Sequence, residues 1–355
     1  MIGDVLKVGN GKDYKHLAEG DIPVFGTGGY MLSVNDFLYD GDSVFIGRKG
    51  TINKPFFYSG KFWTVDTLFY THSFNKVIPH FVYGLFQRVN WNNYNEASGV
   101  PSLSKSTIEK IPIAIPSIEE QQKISSLLSL LDQRIETQKK IIEDLKKLKD
   151  AINNSLHNNI NEFQLFSFNE LGNDYSGLTG KSSDDFGSGL PYISYLNVFR
   201  NDIVTDGQFD CVKVSKTEKQ NVVSYGDLLF TLSSETHSEV GIGAIYLGKT
   251  NPIYLNSFCF GVHLSNHENI YGPYLAYFVT SQYFRRTILP FAQGSTRYNL
   301  MKGDFMKHKF RFPAMAMQKE IYNALYTLSE KIRNEETGLN KYAKLKQYLL
   351  TQMFI

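Results

Sequence analysis

The residues that come nearest to a chemistry are in Gly47-Arg48-Lys49-Gly50-Thr51-Ile52-Asn53-Lys54. Glycines bracket two cations, so backbone can approach a phosphate while Arg48 and Lys49 reach it, with Thr51, Asn53 and Lys54 as further donors. A hairpin tip whose charges only keep it soluble fits the same letters. Gln293-Gly294-Ser295-Thr296-Arg297-Tyr298-Asn299 sets hydroxyls, an arginine and an asparagine after a glycine, a mixture suited to phosphates and base edges. Arginine with guanine and asparagine with adenine are the common pairings. Phe230 to His237 turns from apolar to polar, as a strand does on leaving a core for a surface, and so marks Ser233, Ser234 and Thr236. Pro191 to Phe199 reads as a strand carrying Tyr195 and Asn197, and Ala97 to Ser104 as a hydroxyl-rich loop containing Ser102. Pro23 to Tyr30 is a strand running into a glycine-rich turn, with Thr27 and Tyr30 at its end. Tyr175 to Ser182 resembles a Walker A loop, but that pattern needs glycine where Tyr175 stands. Lys181 and Ser182 remain as a polar loop against DNA or a plain surface loop, and Gly11-Lys12 is its short counterpart.

Catalysis is harder to place. No glycine-rich methyl-donor loop is accompanied by an Asn or Asp followed by Pro-Pro and an aromatic, and there is neither a P-loop nor a Gly-x-Ser-x-Gly elbow. Asp13-Tyr14-Lys15 lacks the separate upstream acid of a nuclease, and His237, His263 and His267 lack metal-ligand spacing. The chain is therefore expected to recognise something without transforming it, with no metal and no cofactor of its own. Its 355 residues, 42% apolar and 20% charged, describe an ordinary soluble protein of two or three domains. No apolar run or leader suggests a membrane or secretion, and two cysteines, Cys211 and Cys259, suit a reducing cytoplasm. A net charge of +2 supports a nucleic-acid partner only faintly, so DNA binding would need local positive charge or help from other chains.

Such loops need rigid elements to hold them, and two heptad stretches supply these. From Ile118 to Leu156, Leu128, Ile135, Ile142, Lys149 and Leu156 share one heptad position, and Ile124, Leu131, Gln138, Leu145 and Ile152 share another. This is a coiled-coil seam, begun by Pro116-Ser117 with Glu119 and Glu120 in its first turn. Displaced by 197 positions, Leu325, Leu328, Ile332, Glu335, Leu339, Tyr342, Lys346, Leu349 and Met353 take the places of Leu128, Leu131, Ile135, Gln138, Ile142, Leu145, Lys149, Ile152 and Leu156. Even the polar interruptions repeat, which predicts two helices built to pack on each other, antiparallel. Ahead of each helix the repeat continues, as Ile113-Ala114-Ile115-Pro116 and Phe310-Arg311-Phe312-Pro313, and further back as the turns Gly41-Asp42 and Gly226-Asp227.

The expected fold is thus α+β: two strand-rich domains and a pair of long antiparallel coiled-coil helices in a pseudo-two-fold tandem repeat. Its boundaries fall at 1–116, 117–158, 159–313 and 314–355. Helices of about 40 residues, some 60 Å long, would act as a ruler between the globules.

The phrase Ile113-Ala114-Ile115-Pro116-Ser117-Ile118-Glu119-Glu120-Gln121-Gln122-Lys123-Ile124 is similar to the start of the central helix in specificity subunits of type I restriction-modification enzymes. Phe312-Pro313 with Met317-Gln318-Lys319-Glu320-Ile321 is its looser echo. Gly47-Arg48-Lys49-Gly50 and Gly294-Ser295-Thr296-Arg297 resemble phrases of that family's target-recognition domains. The resemblance implies that each globule reads one half of a bipartite, asymmetric double-stranded DNA site, and that the helices set the gap. It implies docking of two adenine-N6 methyltransferase subunits, joined by motor-nuclease subunits. S-adenosylmethionine, ATP and Mg would be used by those partners. The first globule starts at Met1-Ile2-Gly3-Asp4, short of what precedes Gly180-Lys181, so its edge strand is expected to be missing or borrowed. A coiled-coil adaptor spacing two protein-binding domains is the rival reading, and an enzyme with an unrecognised site a third.

Overall fold

A computed structural model describes Met1 to Phe354 other than Gln208, Lys216 and Asn266. The chain divides into two units, Met1–Ile141 with Glu335–Ile355, and Ile142–Asn334, each made of one strand-rich globule and half of each long helix.

In the first unit six strands form one sheet in the order Lys7–Asn10, Leu68–His72, Tyr39–Gly47, Phe56–Thr64, Glu19–Gly26, Gly29–Val34. All neighbours are antiparallel except Val24 and Phe25 against Trp63 and Thr64. Both faces are covered, so the two-residue period of the central strand feeds two cores. Val44 and Ile46 pack with Val8, Phe69, Val82 and Phe86, while Phe45 packs with Val24, Phe62 and Leu68. One expectation fails here. Asp40-Gly41-Asp42 is no turn but strand, with Gly41 paired to Gly60. Lys61 to Tyr70 is two strands, because it pairs with both edges of Tyr39–Gly47 and the chain must double back between Thr64 and Leu68.

The second unit has a five-stranded sheet in the order Ile203–Val204, Gly243–Tyr246, Leu228–Thr231, Cys259–Leu264, Gly172–Ser176. Leu228 and Phe230 face one core, rich in phenylalanine (Phe168, Phe260, Phe278, Phe284, Phe305, Phe310, Phe312), and Leu229 faces another. The expected strand over Pro191 to Phe199 ends at Ile193. Asn197 Oδ1 accepts from the Ser194 N–H (2.9 Å) and hydroxyl (2.7 Å), a capping box that starts the helix Tyr195–Arg200. Lys309–Phe312 is a strand, as expected before a long helix, paired with Gln164–Ser167. Its counterpart around Ile113 to Ile115 is not a strand: among the described residues no strand pairs with it.

The long helices run over Ile118–Asn158 and Met315–Met353. Ser117 and Glu120 cap the first reciprocally: Glu120 N–H donates to Ser117 Oγ, and Glu120 Oε2 accepts from Ser117 N–H (3.1 Å) and hydroxyl (3.0 Å). Every described seam residue is buried or half-buried. The helix segments pair antiparallel within each unit: Leu128 packs with Leu350 in the first, Leu325 with Ile152 and Leu156 in the second. One pair of polar interruptions meets across the seam. Gln138 donates to Glu335, its own repeat equivalent, and an antiparallel pair allows such a meeting at one level only. Lys346 binds Asp132 and lies over the ring of Tyr83; Lys149 binds Asp202 (2.5 Å) and lies over Tyr277. Both lysines thus reach out of the seam to a carboxylate and an aromatic face, which offsets the burial of a charge.

Two glutamines tie the helix starts to the globules. Buried Gln121 accepts from Ile78 N–H (2.9 Å) and donates to the carbonyls of Lys76 and Pro116 (3.0 Å each). Buried Gln318, at the repeat-equivalent place, accepts from Tyr271 N–H (2.9 Å) and donates to the carbonyls of Asn269 and Pro313 (2.8 Å each).

At the other end of the first helix, His157 is buried against Tyr274 and Phe278, where Phe354 stands in the other copy. Burial lowers its pKa to about 4 from the ordinary 6.5. Below pH 6.5 the unfolded chain takes up a proton that the folded one refuses, so stability falls as pH drops and the loss is complete below about 4. That span corresponds to about 3 kcal/mol. In urea unfolding followed from pH 7 to 4, His157→Phe should remove this part of the acid sensitivity. Equal slopes for wild type and variant would contradict the assignment.

Candidate nucleic-acid interface

In each globule the central strand leaves the core as a polar loop, and that loop is hydrogen-bonded to a second polar loop distant in the chain. In the first globule the strand ends at Gly47, where a Cβ would stand 2.1 Å from Thr51 O, so the tight return of the chain requires glycine. The N–H groups of Arg48 and Lys49 donate to Thr67 O (2.8 and 3.2 Å), Gly50 N–H donates to Pro101 O (2.8 Å) and Leu103 N–H to Arg48 O (2.9 Å). Lys49 and Ser102 form an isolated antiparallel bridge. In the second globule Ser233 and Ser234 pair with Asn299 and Tyr298, and Gln293 closes on Asn299 from the other side. Ser102 and Asn299 are separated by the 197 positions that relate the two seams. The duplication therefore carries this juxtaposition as well as the helices.

Residues that showed no signal of their own hold the loops. Asn95 Oδ1 accepts from Ala97 N–H (3.1 Å) and Ser102 N–H (2.9 Å), while Glu96 accepts from the Thr107 hydroxyl and Ser104 N–H, bonds that keep its carboxyl below the usual range. In the second globule Arg285 donates to the carbonyls of Ser238, Val240 and Gly241 (2.8, 2.7 and 2.8 Å), fixing the loop after Ser234 from behind. Burial lowers its pKa to about 10, which leaves it charged at neutral pH. An Arg-Arg pair in a short amphipathic stretch gives no hint of this, because the acceptors are over 40 residues away.

The candidate residues sort into two groups. Arg48, Lys49, Asn53 and Lys54 are exposed and Thr51 is half-buried; Arg48 also donates to Asp66 O (3.3 Å). Thr27 lies beside this loop, 4.0 Å from where a Cβ on Gly50 would be. Tyr30 is 63% exposed on the adjoining hairpin, and Lys12 is exposed while its backbone is bonded to Thr64 and to the Trp63 indole. Thr236, Ser295, Thr296, Arg297 and Asn299 are exposed together on the polar ribbon of the second globule. Ser233 and Ser234 are buried and build that ribbon, Ser234 donating to Glu239 (3.0 Å).

Four candidates are engaged by hydrogen bonds within the fold. Lys181, only 7% exposed, donates to Glu218 and to Lys213 O (2.6 Å each), so its charge is neutralised within the fold. Ser182 caps a short turn through Asp185, Asn197 caps the helix after Ile193, and Tyr195 donates to Ser233 O (3.0 Å), bracing the ribbon. The likeness of Gly11-Lys12 to Gly180-Lys181 therefore does not extend to the lysines' surroundings.

His263 lies 2.8 Å from Asp227, a buried carboxylate that also accepts from the Tyr175 hydroxyl (2.7 Å) and Ser224 N–H (2.8 Å), which closes a turn. Among the described residues no three His, Cys, Asp or Glu side chains gather as a metal-ligand set.

A family model described as Type I restriction modification DNA specificity domain matches residues 1–147 and 151–344. The type I restriction enzyme MjaVIII specificity subunit of Methanocaldococcus jannaschii is 23% identical over 349 residues, covering 90% of this chain and 78% of that protein. The crystal structure of a type I restriction-modification system S subunit from M. genitalium aligns with a TM-score of 0.65 at 15% identity, over 100% of this chain and 95% of that one. A chain from a structure addressing complex assembly and conformational transition of the type I R-M system aligns at 0.59 and 14% identity, over 99% and 96%. At such identities the two structures speak for the fold.

Proposed function

The chain belongs to the type I restriction-modification DNA specificity family, and on that premise we propose that each strand-rich globule reads one half of a bipartite, asymmetric site on double-stranded DNA. Residues 1–116 and 159–313 are the two target-recognition domains on this reading. The observation that carries it is the paired-loop surface repeated in both globules. One copy offers Arg48, Lys49, Asn53 and Lys54 with Thr27 and Tyr30 alongside, the other Thr236, Ser295, Thr296, Arg297 and Asn299. Cations and amides on rigid strand ends suit phosphate positioning and base reading in the major groove.

The reaction then belongs to other chains: two adenine-N6 methyltransferase subunits seated on the paired helices, and motor-nuclease subunits that join through them. Those partners would use S-adenosylmethionine, ATP and magnesium, this chain holding no cofactor and working in the cytoplasm. Exposed Leu127, Leu130, Leu148, Leu345 and Tyr348 on the helices support such docking, since apolar side chains in that number on a helix surface favour a covering partner. The small net charge of +2 fits partners that share in neutralising phosphates.

Replacing Arg48 and Lys49 together with alanine should weaken DNA binding by the assembled complex roughly 10- to 100-fold and flatten the salt dependence by about two phosphate contacts. Binding and salt slope equal to wild type would remove this loop from the interface.

A further inference from the structure

Arg297 stands on the exposed turn of the second globule's ribbon, its guanidinium 5.1 Å from the ring centroid of Phe258. Phe258 is 50% exposed, although Cys259 and Phe260 after it are fully buried. The backbone presents the ring at a set place: Phe258 N–H donates to Asn256 Oδ1 (2.9 Å), and its carbonyl accepts from Leu232 N–H (2.8 Å). The first globule uses the corresponding turn, just before the strand Leu68–His72. There Thr67 O accepts from Arg48 and Lys49 N–H, and Asp66 O accepts from the Arg48 guanidinium at 3.3 Å. Arginines from two different loops are thus anchored on equivalent turns, one by a carbonyl and the other by an aromatic face.

Resting on the reading that the second globule binds DNA, we propose that Phe258 is the positioning residue that makes Arg297 a guanine reader. A free arginine on a loop samples many rotamers, and ordering it on binding opposes recognition. Stacking on Phe258 holds the planar guanidinium in one orientation through cation–π attraction and face contact. Its fork is then ready for the O6 and N7 acceptors of guanine, which need two parallel donors. The half-site read by this globule accordingly contains a guanine whose discrimination depends on an aromatic ring at position 258.

The test uses the assembled complex and a DNA library randomised over both half-sites, with the bound sequences counted. Arg297→Ala should erase a guanine preference at one position of one half-site. Phe258→Ala should weaken that preference roughly two- to fivefold, the scale of an exposed cation–π contact, while leaving other positions and the salt dependence unchanged. Phe258→Trp should retain the preference, Phe258→Leu should weaken it to the same degree as alanine does, and the Phe258→Ala, Arg297→Ala double variant should match Arg297→Ala alone. A changed Arg297→Ala profile beside an unchanged Phe258→Ala profile, or full retention by Phe258→Leu, overturns the proposal alone. An Arg297→Ala profile like that of wild type overturns the DNA reading of this loop and the proposal with it.

Discussion

Gln318→Ala should destabilise the second unit by about 3–5 kcal/mol, a large effect for a residue with no charge and no part in the hydrophobic core. The buried amide satisfies three backbone groups at once, Tyr271 N–H and the carbonyls of Asn269 and Pro313. Alanine leaves all three without partners where water does not reach, and each such orphan costs about 1–3 kcal/mol. Gln121→Ala should act alike on the first unit through Ile78, Lys76 and Pro116. Gln122→Ala, one residue along and exposed, is the control and should move stability by less than about 0.5 kcal/mol. Urea unfolding of the three variants decides the matter, and a change under about 1 kcal/mol for Gln318→Ala would show that the amide is dispensable. Function follows from the same bonds. These glutamines hold the first turn of each long helix to the loop that starts a globule helix, so looseness there would loosen the reading surface relative to its stalk.

On the proposed reading of two half-sites spaced by the helices, removing one heptad from each long helix, residues 139–145 and 328–334, should shorten the unread gap by about three base pairs. Seven residues rise about 10 Å, against about 3.4 Å per base pair. They also complete nearly two turns, so the seam continues on the same face. The matched deletion leaves Gln138 opposite Glu335, whereas deletion from one helix alone puts apolar seam residues against polar ones and should abolish assembly. Mapping methylated adenines in cells carrying each version reads the gap directly. A matched deletion that methylates at the original spacing would refute the ruler.

The seam, the start of the first long helix and the duplication were legible because each depends on neighbours in the chain. A heptad shows itself within a few turns, and Ser117 with Glu120 is a cap spelled out in four letters. Two copies of one pattern then make the repeat visible without any contact being known. The loops were legible in composition only. Arg48-Lys49 and Ser295 to Asn299 could be marked as binding types, but their second halves lie about 50 to 65 residues away, at Ser102 and at Ser233-Ser234. Lys12 and Lys181 show the limit. Both follow a glycine, yet one is exposed and the other is buried against Glu218, because only the folded second globule brings residues 213 and 218 to that lysine.

By itself the sequence determined the helices, their shared polar interruptions and the tandem order of strand-rich units, all of which are periodic or local. Tertiary structure alone decided that Gln138 meets Glu335, that Gln121 and Gln318 close the helix starts, and which polar side chains face outward. Those outcomes depend on hydrogen-bond partners drawn from distant segments. A donor's role is set by the acceptor that packing brings to it, and no spacing along the chain encodes that acceptor.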